Sequence, residues 1–126
     1  MGMDYQYAGS ASYPRFDKEV KTLVELFGGC ETDELKNRKE NQTGIDHWFG
    51  YMSSADSKME KYTFPKETNE ILVKWFNNIY EKFNAEETQI VFDEIKKHSK
   101  EVNEISGQIY YELETLCEDG ECWELE

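Results

Sequence analysis

The chain has 126 residues with 27 Asp and Glu against 14 Lys and Arg, a formal net charge of −13 at pH 7, and is sized for one domain that needs no disulfide or metal staple. Its 14% aromatic content and two prolines separate it from acidic disordered chains, which are poor in aromatics. Such a charge disfavours direct binding to nucleic acid or anionic membranes, no apolar run reaches the roughly eighteen residues that cross a bilayer, and the N-terminus lacks a signal-peptide layout. A soluble, cytoplasmic chain is expected.

Residues 1–14, rich in Tyr, Ser, Ala and Gly, have no helical period and read as an extended or irregular segment able to hold a short strand. Phe16, Val20, Leu23, Val24 and Phe27 then fall at helical spacing, started by Ser12 or Pro14 and ended by Gly28-Gly29. Residues 30–44 are polar and read as a surface loop with at most a short helical turn. Ile45, Trp48, Phe49 and Met52 match a short helix, followed by a serine-rich link at 53–57.

Pro65 marks a boundary, and Thr68 is a candidate cap for a helix burying Ile71, Leu72, Trp75, Phe76, Ile79 and Phe83. Asn84 begins Asn-Ala-Glu-Glu, a capping box whose helix buries Ile90, Val91 and Ile95 and runs to about His98. Ser99 is expected to cap the last helix, where Val102, Ile105, Ile109, Leu113 and Leu116 form one stripe. Gly107 costs that helix roughly 1 kcal/mol relative to Ala and is read as a point of close helix packing. Asp119-Gly120 suits either a C-terminal hairpin over 117–126 or a plain helix-ending loop. The fold expected is mainly α, with α+β the variant, built on four or five helices.

The charge is unevenly distributed. Residues 1–50 hold nine acids and six bases and residues 51–100 hold nine and eight, whereas residues 101–126 hold nine acids and no base. Placed on a helix, Glu101, Glu104, Gln108 and Glu112 are read as one face opposite the apolar stripe, with carboxylates spread over roughly 16 Å. Glu118, Asp119, Glu121, Glu124 and Glu126 lengthen that row. Like charges without i,i+4 Lys or Arg partners, and acids at a helix C-terminus, destabilise the helix locally. Two readings follow. The row is a solubilising face, or it imitates a phosphate backbone and occupies the groove of a basic, nucleic-acid-binding partner.

Cys117 and Cys122 flank the Glu-Asp-Gly-Glu turn, and across a hairpin their Cα atoms would lie about 4.5 Å apart, within disulfide range. A reducing cytoplasm would keep them as thiols, and neighbouring carboxylates raise a thiol's pKa. Zinc would need further ligands from Cys30, His47 or His98, none of which has paired-motif spacing. An EF-hand frame starting at Asp56 places Glu67 correctly but puts Lys58 and Lys61 where a ligand and the glycine belong. No phosphate-cradling glycine loop or nucleophile elbow is present. His47, beside Asp46 and Trp48, reads first as a packing or capping residue.

These observations point to a non-enzymatic, cofactor-free interaction protein that binds and inhibits a basic partner, by analogy of size and charge with mobile-element or phage antagonists of nucleases. Glu101, Glu104, Glu112, Glu118, Asp119, Glu121 and Glu124 are its candidate contacts. The alternatives are a homodimerising adaptor whose acids only solubilise, and a small-molecule binder or enzyme built on His47 and Trp48.

Overall fold

An N-terminal hairpin opens the chain, pairing β1 (Gly2–Asp4) antiparallel with β2 (Ser10–Ser12) in the register Gly2 to Ser12, Met3 to Ala11 and Asp4 to Ser10. The computed structural model describes residues 2–40 and 60–126. Alternation puts Met3, Tyr5 and Ala11 in the core and leaves Gly2, Asp4, Ser10 and Ser12 exposed. Ser12 ends β2 and caps α1 (Tyr13–Leu26), its Oγ accepting the Arg15 N–H at 3.3 Å, with Pro14 in the first turn. Phe16, Val20, Leu23 and Val24 are its buried stripe, and Gly28 at φ 82° closes it.

The polar stretch from residue 30 is not the expected loop. β3 (Cys30–Glu31) pairs antiparallel with β4 (Tyr62–Thr63), and α2 spans Asp33–Glu40. Thr32 explains the start of α2, because its Oγ1 accepts the Leu35 N–H at 3.2 Å while its own hydroxyl donates to the Glu60 carbonyl at 2.7 Å. Leu35 is the helix's buried apolar anchor, too little to register as a period in the sequence. The short helix expected at Ile45–Met52, with His47 and Trp48, lies outside the described residues, as does the 53–57 link.

Asn69, rather than Thr68, caps α3 (Glu70–Asn77), accepting from Ile71 N at 2.8 Å and Leu72 N at 3.4 Å. The helix stops six residues before the expected Phe83, since the Asn78 amide turns back onto the Lys74 carbonyl and competes with the backbone. Ile79 and Phe83 are buried all the same, in the link to α4 (Ala85–Lys96). That link ends in the expected capping box: Asn84 Oδ1 accepts Glu87 N at 2.8 Å, and the Glu87 carboxylate accepts Asn84 N at 3.2 Å. Helix α4 buries Thr88, Val91, Phe92 and Ile95, with Ile90 only half-buried.

Helix α5 (Ser99–Asp119) packs along α4, and it is broken. His98, without a side-chain cap bond, precedes it, and Ser99 is its first helical residue rather than its cap. Ser106 leaves helical geometry (φ −154°, ψ 92°), and its Oγ accepts the Ile109 N–H at 3.2 Å, so it caps a second segment that restarts at Gly107. Gly107 does not mark close packing. A Cβ there would meet only Asn103 Oδ1, at 4.0 Å.

Across the molecule the core is one aromatic and aliphatic cluster, with Trp75 touching both Phe76 and Trp123 at ring-centroid distances of 5.0 and 5.1 Å. Asn77 ties β4 to α3 inside it. Its Oδ1 accepts from Lys61 N (2.9 Å) and Tyr62 N (2.8 Å), and its Nδ2 donates to the Tyr62 and Val73 carbonyls at 3.2 Å each. All four hydrogen-bonding sites of the amide are thus used. Replacing Asn77 with Ala leaves buried backbone groups unpaired and should cost about 2–3 kcal/mol in urea unfolding, against less than about 0.5 kcal/mol for Ala at exposed Lys66.

Candidate binding surface

The acid-rich segment begins on α5, and the kink at Ser106 divides it. Glu101 and Glu104 are exposed on the first segment, while Gln108 and Glu112 belong to the second and face the N-terminal hairpin instead of solvent. Gln108 Nε2 donates to the carbonyls of Ala8 and Ser10 at 3.0 Å each, and its Oε1 accepts from Arg15. The continuous carboxylate row expected from the sequence is therefore absent from the described residues.

Glu112 is the largest departure from expectation. Its side chain is fully buried and receives three consecutive backbone N–H groups, Gln6 at 2.8 Å on Oε2 and Tyr7 at 2.8 Å and Ala8 at 3.1 Å on Oε1. Successive N–H groups converging on one anion form a nest, supplied here by the loop between β1 and β2. Charge-assisted hydrogen bonds of this kind are about twice as strong as neutral ones, and they offset the desolvation of the carboxylate. Glu112 is therefore a structural post and cannot contact a partner.

At the far end of α5, Gly120 in the left-handed region (φ 67°, ψ 32°) stops the helix, with Glu121 N bonded to the Leu116 carbonyl at 2.8 Å. This realises the helix-ending loop and excludes the hairpin, since Cys117 lies inside α5. Residues 121–126 do not hang free. Trp123 is fully buried, its backbone N–H reaching Thr88 Oγ1 at 3.0 Å, its indole Nε1 donating to the Ile79 carbonyl at 2.8 Å, and its carbonyl accepting Phe83 N at 3.0 Å. Three residues on, Glu126 and Asp4 exchange backbone bonds of 2.6 and 2.9 Å, which adds the C-terminus to the β1 edge. Gln6 Nε2 holds the stretch between, donating to the Cys122 and Glu124 carbonyls at 2.9 and 3.4 Å.

On this fixed segment Glu118, Asp119 and Glu124 are exposed and Glu121 is half-buried. Glu124 lies 3.7 Å from Lys82. Among the described residues, Glu101, Glu104, Glu118, Asp119 and Glu121 have no Lys or Arg partner. The carboxylates of Glu121 and then Asp119 act on the exposed Tyr7 phenol and raise its pKa. Tyr7 and Tyr111 are the exposed large apolar side chains among the described residues, and both adjoin Glu112 in space or sequence. Neither is among the contacts expected from the sequence, although tyrosines set among small residues, as at the N-terminus, are a composition shared with antibody paratopes.

All three cysteines are free. Cys30 is exposed, with its sulfur 3.4 Å from Thr63 Oγ1. Burial, and then the charge of Asp93, push the Cys117 thiol up to about 11, and its Sγ lies 3.7 Å from the Thr88 carbonyl. No group of three or more His, Cys, Asp or Glu side chains among the described residues is arranged to hold a metal ion, and no described helix is long and apolar enough to cross a membrane. The chain matches no protein-family model, no curated protein and no solved structure.

Two outcomes follow. Glu112→Gln removes the charge and turns its new donor NH2 toward at least one of the three N–H groups, leaving a single acceptor oxygen, and should lower stability by about 2–4 kcal/mol in urea unfolding. Because a raised pKa leaves little thiolate at neutral pH, Cys117 should alkylate far more slowly than Cys30 at pH 8. Its rate should climb steeply as the pH approaches 11 in thiol mapping by mass spectrometry.

Proposed function

We propose that the protein is a non-enzymatic interaction module that binds and inhibits a basic, nucleic-acid-binding partner through the acidic end of α5 and the segment after it. Glu118, Asp119 and Glu121 are its centre, Glu124 its rim, and Tyr7 and Tyr111 its aromatic flank. Glu101 and Glu104 lie beyond the kink and are secondary contacts. Glu112 is removed from the binding set.

The observation that carries this reading is that the carboxylates sit on backbone locked to the core through Trp123, Gln6 and Glu126. A solubilising tail needs no such anchoring, because its effect depends on charge and not on position. Fixed acids present a patterned negative potential that steers a cationic groove, and exposed Tyr rings add stacking surface for its Arg side chains. Acids at the C-terminus of α5 also oppose the helix dipole, a cost that binding would offset.

The test is affinity capture from nuclease-treated lysate with elution by a salt step, comparing the parent chain with a Glu118→Gln, Asp119→Asn, Glu121→Gln variant. Three surface charges, two exposed and one half-buried, at about 0.2–1 kcal/mol each predict roughly a tenfold loss of affinity with the melting temperature unchanged. Equal capture of the same nucleic-acid-binding protein by both would remove the proposal. Capture only of further copies of the chain would replace it with the homodimeric adaptor.

A further inference from the structure

Pro65 and Thr68 line two adjoining clefts at the end of the molecule where α1 stops and α3 begins. The larger, of 410 Å³, is walled by Tyr62, Phe64 and Val73, and the smaller, of 200 Å³, by Phe27 and Leu72. The ridge between them is seated on glycine. A Cβ at Gly28 would lie 3.0 Å from Pro65 Cγ and one at Gly29 2.7 Å from Phe64 Cε1, so the pair that ends α1 also lets Phe64 and Pro65 approach its backbone. Phe64 stacks on Phe76 at 5.4 Å, Thr68 N donates to the Pro65 carbonyl at 3.0 Å, and Phe27 is held by Phe76 at 5.9 Å and His98 at 5.1 Å. Both clefts are thus formed before anything binds, which lowers the cost of binding.

Phe27, Phe64 and Val73 are only half-buried and Pro65 is exposed. Apolar surface framed by polar groups marks interaction sites. The frame here is acidic. Glu60 and Glu70 stand at the larger cleft with Lys66, and Glu67 and Glu94 at the smaller with Lys97, whose ammonium is already paired with Glu94 at 2.5 Å. Glu60, Glu67 and Glu70 are exposed and have no Lys or Arg partner among the described residues.

We propose that this double cleft docks a short basic segment of a partner protein, with one apolar side chain in each cleft and Lys or Arg side chains facing Glu60, Glu67 and Glu70. The apolar walls supply the affinity, and the unpaired carboxylates select a cationic segment over a neutral or acidic one. The groove is separate from the acidic end of α5. Thr88, in the first turn of α4, meets Trp123, whereas Lys97 follows at the other end of that helix, roughly 14 Å further along.

The isotope-labelled full chain is titrated with acetyl-Lys-Phe-Lys-Leu-Lys-amide, and separately with the same peptide carrying Glu in place of Lys, and followed by heteronuclear NMR. The basic peptide should shift the amides of Phe64, Thr68, Leu72 and His98 with a Kd of about 1 mM or tighter. The acidic peptide, and the basic one on Thr68→Arg or on the Glu67→Lys, Glu70→Lys double variant, should bind roughly tenfold more weakly, with both variants melting as the parent does. The Glu118→Gln, Asp119→Asn, Glu121→Gln variant should bind the peptide as the parent does, which separates this groove from the surface proposed above. Shifts confined to α5 and the segment after it, equal binding of the two peptides, or no shift at several mM peptide would each overturn the proposal.

Discussion

One carboxylate organises the N-terminal half of this architecture. Glu112, taken out of water entirely, can be tolerated only because Gln6, Tyr7 and Ala8 deliver three N–H groups to it. The converse also holds. A tight loop with consecutive inward N–H groups would leave those donors orphaned without an anion beneath it. Loop and carboxylate therefore require each other across more than a hundred residues of sequence, and their meeting fixes where the β1–β2 hairpin lies on α5.

Once the hairpin is placed, other contacts become possible. Gln6 reaches the Cys122 and Glu124 carbonyls, Asp4 pairs with Glu126, and Tyr5 meets Trp123. The C-terminal segment is thereby held at both ends, by the buried indole and by the sheet edge. What reads in the sequence as an acidic tail is a structured rim whose side chains alternate between core and solvent, Trp123 inward and Glu124 outward. The proposed binding surface inherits its rigidity from this arrangement.

The helical skeleton was legible because its signals are local. Asn84 with Glu87, Ser12 with Pro14, and the stripes of α1 and α4 each declare themselves within one or two turns. Asn77 and Asn78 ended α3 early through side-chain bonds that no periodicity encodes, and α2 rests on a Thr32 cap with a single buried Leu. The acid row failed for a reason the sequence did contain. Glu112 follows Ile109 by three residues and precedes Leu116 by four, both in the stripe, so at about 100° per residue it borders the apolar face rather than opposing it. Charge alone had assigned it to solvent. The nest that receives it could not be read, because backbone N–H direction in the Tyr-Gln-Tyr-Ala-Gly loop leaves no residue signature. The kink likewise required knowing that Ser106 turns its hydroxyl to its own helix.

Hydrogen exchange followed by NMR at the amides of Gln6, Tyr7 and Ala8 is the most direct test of this dependence. If the buried carboxylate holds the loop, these three amides exchange as slowly as those of α4 and α5 in the parent chain, with protection approaching the global unfolding limit. Exchange at the rate of an open loop, while the helices stay protected, would contradict the central place given to Glu112.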